Sequence, residues 1–303
     1  MKAVIPAGGL GTRMLAATHS MPKAMLPVVD KPVIQYVVEE AVESGCDEIL
    51  IVTGPGARAI QDHFGRTVEV ERQIGRNPEV GTALRLTGGS QIVNIHYVQQ
   101  DAPRGLGHAV LCARNFVGNE PFAVLLADDI VRGPVPATKQ LMDVHDQTGL
   151  SAVGGVRVSG ADISRYGVFG LNEEFRPGVY RVRTLEEKPA AAKAPSDLAV
   201  VGRYVLTPRI FSILAAAAPG LGGEIQLTEA LANLAIDEGM SAVLVSGQRL
   251  DAGDTWGWLK ANMEVAWDTP DLQRHLSSFI SSRERQAHQK RVAMIPWQRD
   301  SLE

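Results

Sequence analysis

Residues 3–23, AVIPAGGLGTRMLAATHSMPK, decide the fold. The apolar opening Ala3-Val4-Ile5 has the length and composition of a buried strand and starts almost at the first residue. It then empties into Gly8, Gly9 and Gly11. Glycine lets successive backbone N–H groups turn toward an anion with no Cβ in the way, so a strand running into glycines predicts a phosphate site. Arg13 and Lys23 add a bidentate cation and a point charge at the two ends of the loop. A surface turn can carry the same glycines, but two cations in one short loop argue for an anion. Two better-known loops do not fit. A dinucleotide fingerprint needs a third glycine where Met14 stands, and a P-loop needs Gly-Lys-Ser/Thr where the chain has Gly11-Thr12-Arg13.

Beyond the loop, Ile34, Val37, Val38, Ala41 and Val42 recur at helical spacing after Pro32, with Gly45 where a C-terminal cap falls. Residues 48–53 and 92–99 read as strands, 57–64 as a short helix, 105–116 as helical, and 122–127 as a fourth, wholly apolar strand. Continuous apolar runs belong to sheets buried on both faces, and this alternation predicts an α/β fold with a parallel, doubly wound sheet and ligands at its carboxyl edge. From Ser151 the rhythm changes. Residues 151–158, 166–171, 180–186 and 198–206 are β-rich and separated by turns, which predicts an antiparallel extension over the sheet. A helix over 225–236, a strand over 242–246 and a helix over 256–267 follow. The polar residues beyond make a helical tail or a solvated arm, giving one domain over 1–268 and a tail over 269–303.

The net charge of −4 argues against nucleic-acid binding, which needs a basic face, but leaves room for a small polyanion held by local cations and a divalent metal. No run reaches the roughly 18 apolar residues of a membrane span, and Met1-Lys2 leads straight into a strand. Cys46 and Cys112 lie far apart beside apolar residues, as reduced core thiols do, and the histidines show no zinc spacing. A soluble cytoplasmic protein is expected.

Asp128 and Asp129 directly follow the fourth strand and so reach the edge that carries the glycine loop, where one or two carboxylates with substrate phosphates suit Mg²⁺. They also fit a turn cap. Asp251 ends a later strand and is the second candidate metal ligand, whereas Asp254 fits a helix N-cap. Gln100 offers the donor and acceptor that reading a nucleobase edge requires, and Gly105 beside it lets backbone approach the ring. Glu186-Glu187-Lys188-Pro189 pairs acid with base at a strand end, suited to a sugar hydroxyl and a phosphate, or equally to a solvated charge run.

Together the motifs Gly9-Leu-Gly-Thr-Arg13, Pro22-Lys23, Met25-Leu-Pro27, Asp30-Lys-Pro32, Ile34-Gln-Tyr-Val37, Gly105-Leu-Gly-His-Ala109, Tyr166-Gly-Val168, Glu187-Lys-Pro189, Val201-Gly-Arg-Tyr-Val-Leu206 and Glu224-Ile-Gln-Leu-Thr228 resemble the sugar-1-phosphate nucleotidyltransferases. The resemblance is closest to the bacterial UTP:glucose-1-phosphate uridylyltransferases, and it runs to about residue 267 in the family's order. It implies a Rossmann-like nucleotidyltransferase fold with a mostly parallel central sheet and a β-rich sugar-binding extension. It also implies attack of a sugar-1-phosphate oxygen on the α-phosphorus of a nucleoside triphosphate, expelling pyrophosphate with no covalent enzyme intermediate.

Carried over by position, Arg13, Lys23, Asp128 and Lys188 are catalytic, and Asp128 with Asp251 holds Mg²⁺. Gly8, Gly9, Gly11, Thr12, Gln100 and Gly105 bind the nucleotide, and Gly167, Glu187, Lys188 and Val201 the sugar phosphate. A homodimer or homotetramer is implied. Several residues depart from the family pattern. Gly8 replaces an alanine, Ala24 an acidic residue, His19 a lysine, Ala127 a proline and Thr255 a lysine. UTP with glucose-1-phosphate is the first reading. The same chemistry on dTTP, ATP, GTP or a cyclitol phosphate is a second, and a regulatory homologue without turnover a third.

Overall fold

The computed structural model describes residues 1–9, 11–55, 57–65, 93–220 and 223–293; for Arg13, Leu15 and 287–293 it describes the backbone alone. In chain order the strands are β1 (Lys2–Ala7), β2 (Pro27–Val28), β3 (Lys31–Pro32), β4 (Glu48–Thr53), β5 (Asn94–Gln99), β6 (Phe122–Leu125) and β7 (Asp129–Arg132). They continue with β8 (Ser151–Arg157), β9 (Gly167–Arg176), β10 (Val179–Glu187), β11 (Leu198–Leu206), β12 (Met240–Leu244) and β13 (Gln248–Asp251). Among the described residues nine of these make one sheet in the order β5-β4-β1-β6-β11-β8-β12-β10-β9, with β7–β13 and β2–β3 as two small antiparallel ribbons.

The strands β5, β4, β1 and β6 are mutually parallel. Alternation along them sorts side chains into two layers. Ala3, Ile5, Ile49, Ile51 and Ala123 meet Ile34, Val37, Val38 and Ala41 of the helix Val33–Glu43 on one face. Val4, Leu50, Val52, Phe122 and Val124 share the opposite core with Phe211, Leu214, Leu231 and Leu234 of the helices Arg209–Ala216 and Leu227–Asp237. Apolar strands thus sit between helical layers, as a doubly wound sheet requires. Because these four strands run the same way, the residues leaving their carboxyl ends, Gly8, Gly54, Gln100 and Asp128, gather at one edge.

The antiparallel segments continue the sheet instead of lying over it. β11 inserts antiparallel between β6 and β8, and β10 and β9 extend the far side. The reason is β11 itself, whose residues are buried on both faces along nearly its whole length and so demand a central place. Other differences are local. The expected helix over 105–116 is two short helices, Leu106–Leu111 and Arg114–Val117. The strand expected from Ile92 begins at Asn94, and Ile92 lies outside the described residues. The polar tail forms the helix Pro270–Ala293, packed against the helix Thr255–Asp268, while 294–303 lie outside the described residues. No helix among the described residues is long and apolar enough to cross a membrane.

Candidate active site

The glycine loop is held open from beneath. Gly11 adopts φ +61°, and a Cβ there would stand 2.8 Å from Thr18 Oγ1, so only glycine fits. Its carbonyl accepts from Met14 N at 2.9 Å and Thr18 Oγ1 at 3.0 Å, which starts the short turn Thr12–Met14 carrying the Arg13 backbone. The Arg13 side chain lies outside the described residues. Lys23 opens a second tight turn, Lys23–Met25, with Met25 N donating to Pro22 O.

Gly8, Gly9, Gly11, Thr12, Lys23, Gln100, Gly105 and Asp128 line one cavity of about 460 Å³, together with Ala24, Ala127, Glu224 and Gly253. Each of the expected nucleotide-binding residues is there. Gly8 allows the close approach of two strand ends, since a Cβ on it would meet Gly54 N at 3.1 Å and Gln100 Oε1 at 3.3 Å. Ala24 is buried in the wall of the cavity and offers no charge to it.

Lys23 Nζ donates to Asp128 Oδ2 at 2.6 Å; the lysine is 16% and the aspartate 40% exposed. The pair faces the cavity half-solvated, free to exchange partners with an incoming polyanion. Asp251 arrives from β13, whose pairing with β7 sets Asp251 opposite Asp129, and Ala252 N donates to Asp128 O at 2.9 Å. Gly253 N binds Asp251 Oδ1 at 2.8 Å, and Lys23 Nζ flanks the same glycine. Lys23 and Asp128 thus line the cavity, and Asp251 is tied to them through Ala252 N on Asp128 O and through Gly253, which also lines it. Asp254 accepts from Gly257 N as the N-cap of Thr255–Asp268, so Thr255 is simply the first helical residue.

The expected sugar-phosphate residues form a neighbouring cluster. Glu187 Oε2 accepts from Thr228 Oγ1 at 2.6 Å, and Lys188 Nζ lies 3.4 Å from Glu187 Oε1. Gly167 adjoins both Glu187 and Thr228. Lys188 has φ +47°, a left-handed conformation that costs a non-glycine residue about 1 kcal/mol, and its N–H donates to Tyr166 O. The Val201 side chain is buried in the sheet. Two bridges tie this cluster to the cavity: the segment from Glu224 to Thr228, and Tyr166, whose hydroxyl donates to Asp251 Oδ2 at 3.4 Å.

A buried polar layer beneath the cavity was not anticipated. Arg203 on β11, fully buried, donates Nε and Nη2 to the Glu40 carboxylate at 2.7–3.0 Å and Nη2 also to Asp129 O. Thr138 adds its backbone N–H and its hydroxyl to Glu40 Oε1. Asp129 accepts from Arg249 Nε at 2.9 Å, and Arg249 reaches on to Asp251 Oδ2 at 3.4 Å. Burial works against the Arg249 charge, but Asp129 and Asp251 carry its pKa above the ordinary guanidinium value. Two signals in the sequence point here: an arginine inside the apolar run 198–206, and Arg249 two residues before Asp251, on the same strand face.

The profile of the nucleotidyl transferase family matches residues 2–267. A Bacillus subtilis relative named UTP–glucose-1-phosphate uridylyltransferase YngB is 49% identical over 280 residues, covering 92% of this chain and 94% of the relative. A crystal structure of UDP-glucose pyrophosphorylase complexed with UDP-glucose superposes with a TM-score of 0.78 at 39% identity, over 87% of this chain and 97% of that one. The UTP-bound enzyme from Acinetobacter baumannii gives 0.82 at 34% identity, over 92% and 98%.

Proposed function

The chain belongs to the nucleotidyl transferase family, and from that premise we propose that its cleft joins UTP to glucose-1-phosphate, giving UDP-glucose and pyrophosphate. The observation that carries this reading is the half-exposed Lys23–Asp128 pair, set between an open glycine loop and Asp251. In the proposed reaction a phosphate oxygen of the sugar substrate bonds to the α-phosphorus while the bond to the β-phosphate breaks. Such a transfer needs alignment and charge neutralisation more than a protein nucleophile. The glycine-loop amides and Thr12 hold the triphosphate, Arg13 neutralises the departing pyrophosphate, and Lys23 leaves Asp128 for the α-phosphate. Lys188 and Glu187, with Gly167 and the backbone of Val201, hold the sugar phosphate, while Gln100 and Gly105 face the base.

Asp128 and Asp251 are the residues that would hold Mg²⁺. A pair of carboxylates near a glycine loop fits its preference for few protein ligands together with substrate phosphates. When bound, the ion supplies charge neutralisation on the phosphate oxygens. The catalytic unit in this proposal is 1–268, with 269–303 as a tail. Free thiols at Cys46 and Cys112 support a cytoplasmic location. Exposed Trp256, Leu259, Met263 and Trp267 along one helix face support assembly as a homodimer or homotetramer, to be read by light scattering.

Pyrophosphate release from UTP, dTTP, ATP and GTP, each with several sugar-1-phosphates, tests the assignment. UTP with glucose-1-phosphate is expected to lead by at least about tenfold in kcat/KM. Equal rates for all four triphosphates contradict the substrate assignment, and no release from any pair contradicts the reaction.

A further inference from the structure

Gln100 stands in the cavity wall with a side chain that is almost fully buried, so the way its amide points is fixed by its neighbours and not by water. Its Nε2 lies 3.3 Å from Gly105 O and 2.8 Å from His108 Nδ1. Gly105 O can only accept, so the amide nitrogen must occupy that side. His108 Nδ1 must then accept as well, which places the imidazole proton on Nε2. Cys112 Sγ, one helical turn on and 3.8 Å from the same Nδ1, is a second weak donor to it, and burial keeps this thiol protonated by raising its pKa. With the nitrogen committed, Gln100 Oε1 faces Gly8 and the cavity.

We infer that His108 is a specificity-determining positioning residue: it locks the Gln100 amide with its oxygen toward the cleft, so that the pocket demands a ring N–H donor on the base. This rests on the nucleotide reading of the cavity given above. A uracil or thymine ring presents N3–H and satisfies the oxygen, whereas cytosine presents a bare N3 lone pair, acceptor against acceptor. Discrimination of this kind is strong because the mismatched base leaves two buried acceptors facing each other.

The lock is also sensitive to proton uptake. A doubly protonated His108 turns N–H toward Gln100 Nε2, donor against donor, and the amide loses its anchor. Among the described residues, the charges of Arg104 and Asp101 in the preceding loop act on the ring, and Cys112 on its own helix lies against it. Burial and the Arg104 charge lower the His108 pKa, with Asp101 opposing, so the neutral ring is the working form at neutral pH. Discrimination is therefore complete above the imidazole pKa and is lost as pH falls through it.

Steady-state kinetics with UTP and CTP across about pH 5 to 8 provide the test, on the wild type, His108→Leu and His108→Asn. His108→Leu is expected to raise the KM for UTP roughly tenfold and to shrink the UTP-over-CTP preference, leaving kcat and the KM for glucose-1-phosphate nearly unchanged. His108→Asn, which carries an acceptor oxygen at the position of Nδ1, is expected to restore the preference and to abolish the acid rise in KM expected of the wild type. Wild-type KM and base preference in His108→Leu, or the same acid rise in His108→Asn, overturns the inference. Calorimetric binding of UTP and CTP to the same three proteins reads the preference without turnover. The inference therefore stands or falls even if the reaction with glucose-1-phosphate does not.

Discussion

Asp128 and Asp129 are adjacent in sequence and belong to two regions that treat charge in opposite ways. Asp128 faces the cavity, 40% exposed, and among the described residues its carboxylate has one partner, Lys23, on one of its oxygens. Asp129 is buried, accepts from Arg249 on both oxygens and from Gly202 N on one, and lies in a layer that runs through Arg203 to Glu40. Among the described residues the second Asp128 carboxylate oxygen takes no hydrogen bond, so the pair keeps capacity for a further partner. The buried layer is saturated, and a group whose hydrogen-bonding capacity is used up by the fold has little left for a substrate. Clustered charge thus marks chemistry only where it is incompletely satisfied. Where it is saturated, it serves to set the place of β11 and β13, and with β13 the place of Asp251.

Perturbing each region should move a different readout. Chelation of divalent metal is the largest expected effect. Pyrophosphate release should fall by roughly a thousandfold and return with added Mg²⁺, with the melting temperature nearly unchanged. An EDTA-resistant rate would remove the metal role from Asp128 and Asp251. Arg203→Met should act on the other region, leaving Glu40 buried without its guanidinium and costing about 3–5 kcal/mol of stability by denaturant titration. A loss under about 1 kcal/mol would show that the layer is not structural. Lys23→Met should lower kcat roughly a hundredfold while the protein stays as stable as wild type, because the charge it removes acts in the transition state. Asp254→Ala is the smallest effect. Loss of the N-cap bond to Gly257 should cost about 1 kcal/mol of stability and leave kcat within about twofold, which separates this aspartate from Asp251.

Much of the cleft was legible in the sequence because its parts are local. A strand emptying into glycines, Lys23 after Pro22, and Asp128 directly after an apolar strand each state a position without reference to the rest of the chain. Parallel strands then bring those ends to one edge, which is why residues as far apart as Gly8, Gln100 and Asp128 share one cavity. What escaped reading depends on long-range pairing. The insertion of β11 between β6 and β8 follows from burial on both its faces, and sequence order gives no hint of which neighbours it takes. The same holds for Glu40, Thr138, Asp129 and Arg203, which come from four separate elements and meet only once the sheet closes over them. Gln100 shows an intermediate case. Its presence at the pocket was readable, but that it offers an acceptor and not a donor was fixed by Gly105 O and His108, one turn into the next helix.

Pyrophosphate release measured per folded molecule in Asp128→Asn and Asp129→Asn reads whether neighbouring aspartates divide into a reacting and a structural charge. Asp128→Asn should melt like the wild type and lose release by roughly a thousandfold. Asp129→Asn should melt well below wild type and keep a rate within about tenfold in the fraction that remains folded. Wild-type release from Asp128→Asn, or a wild-type melting temperature in Asp129→Asn, would contradict that division.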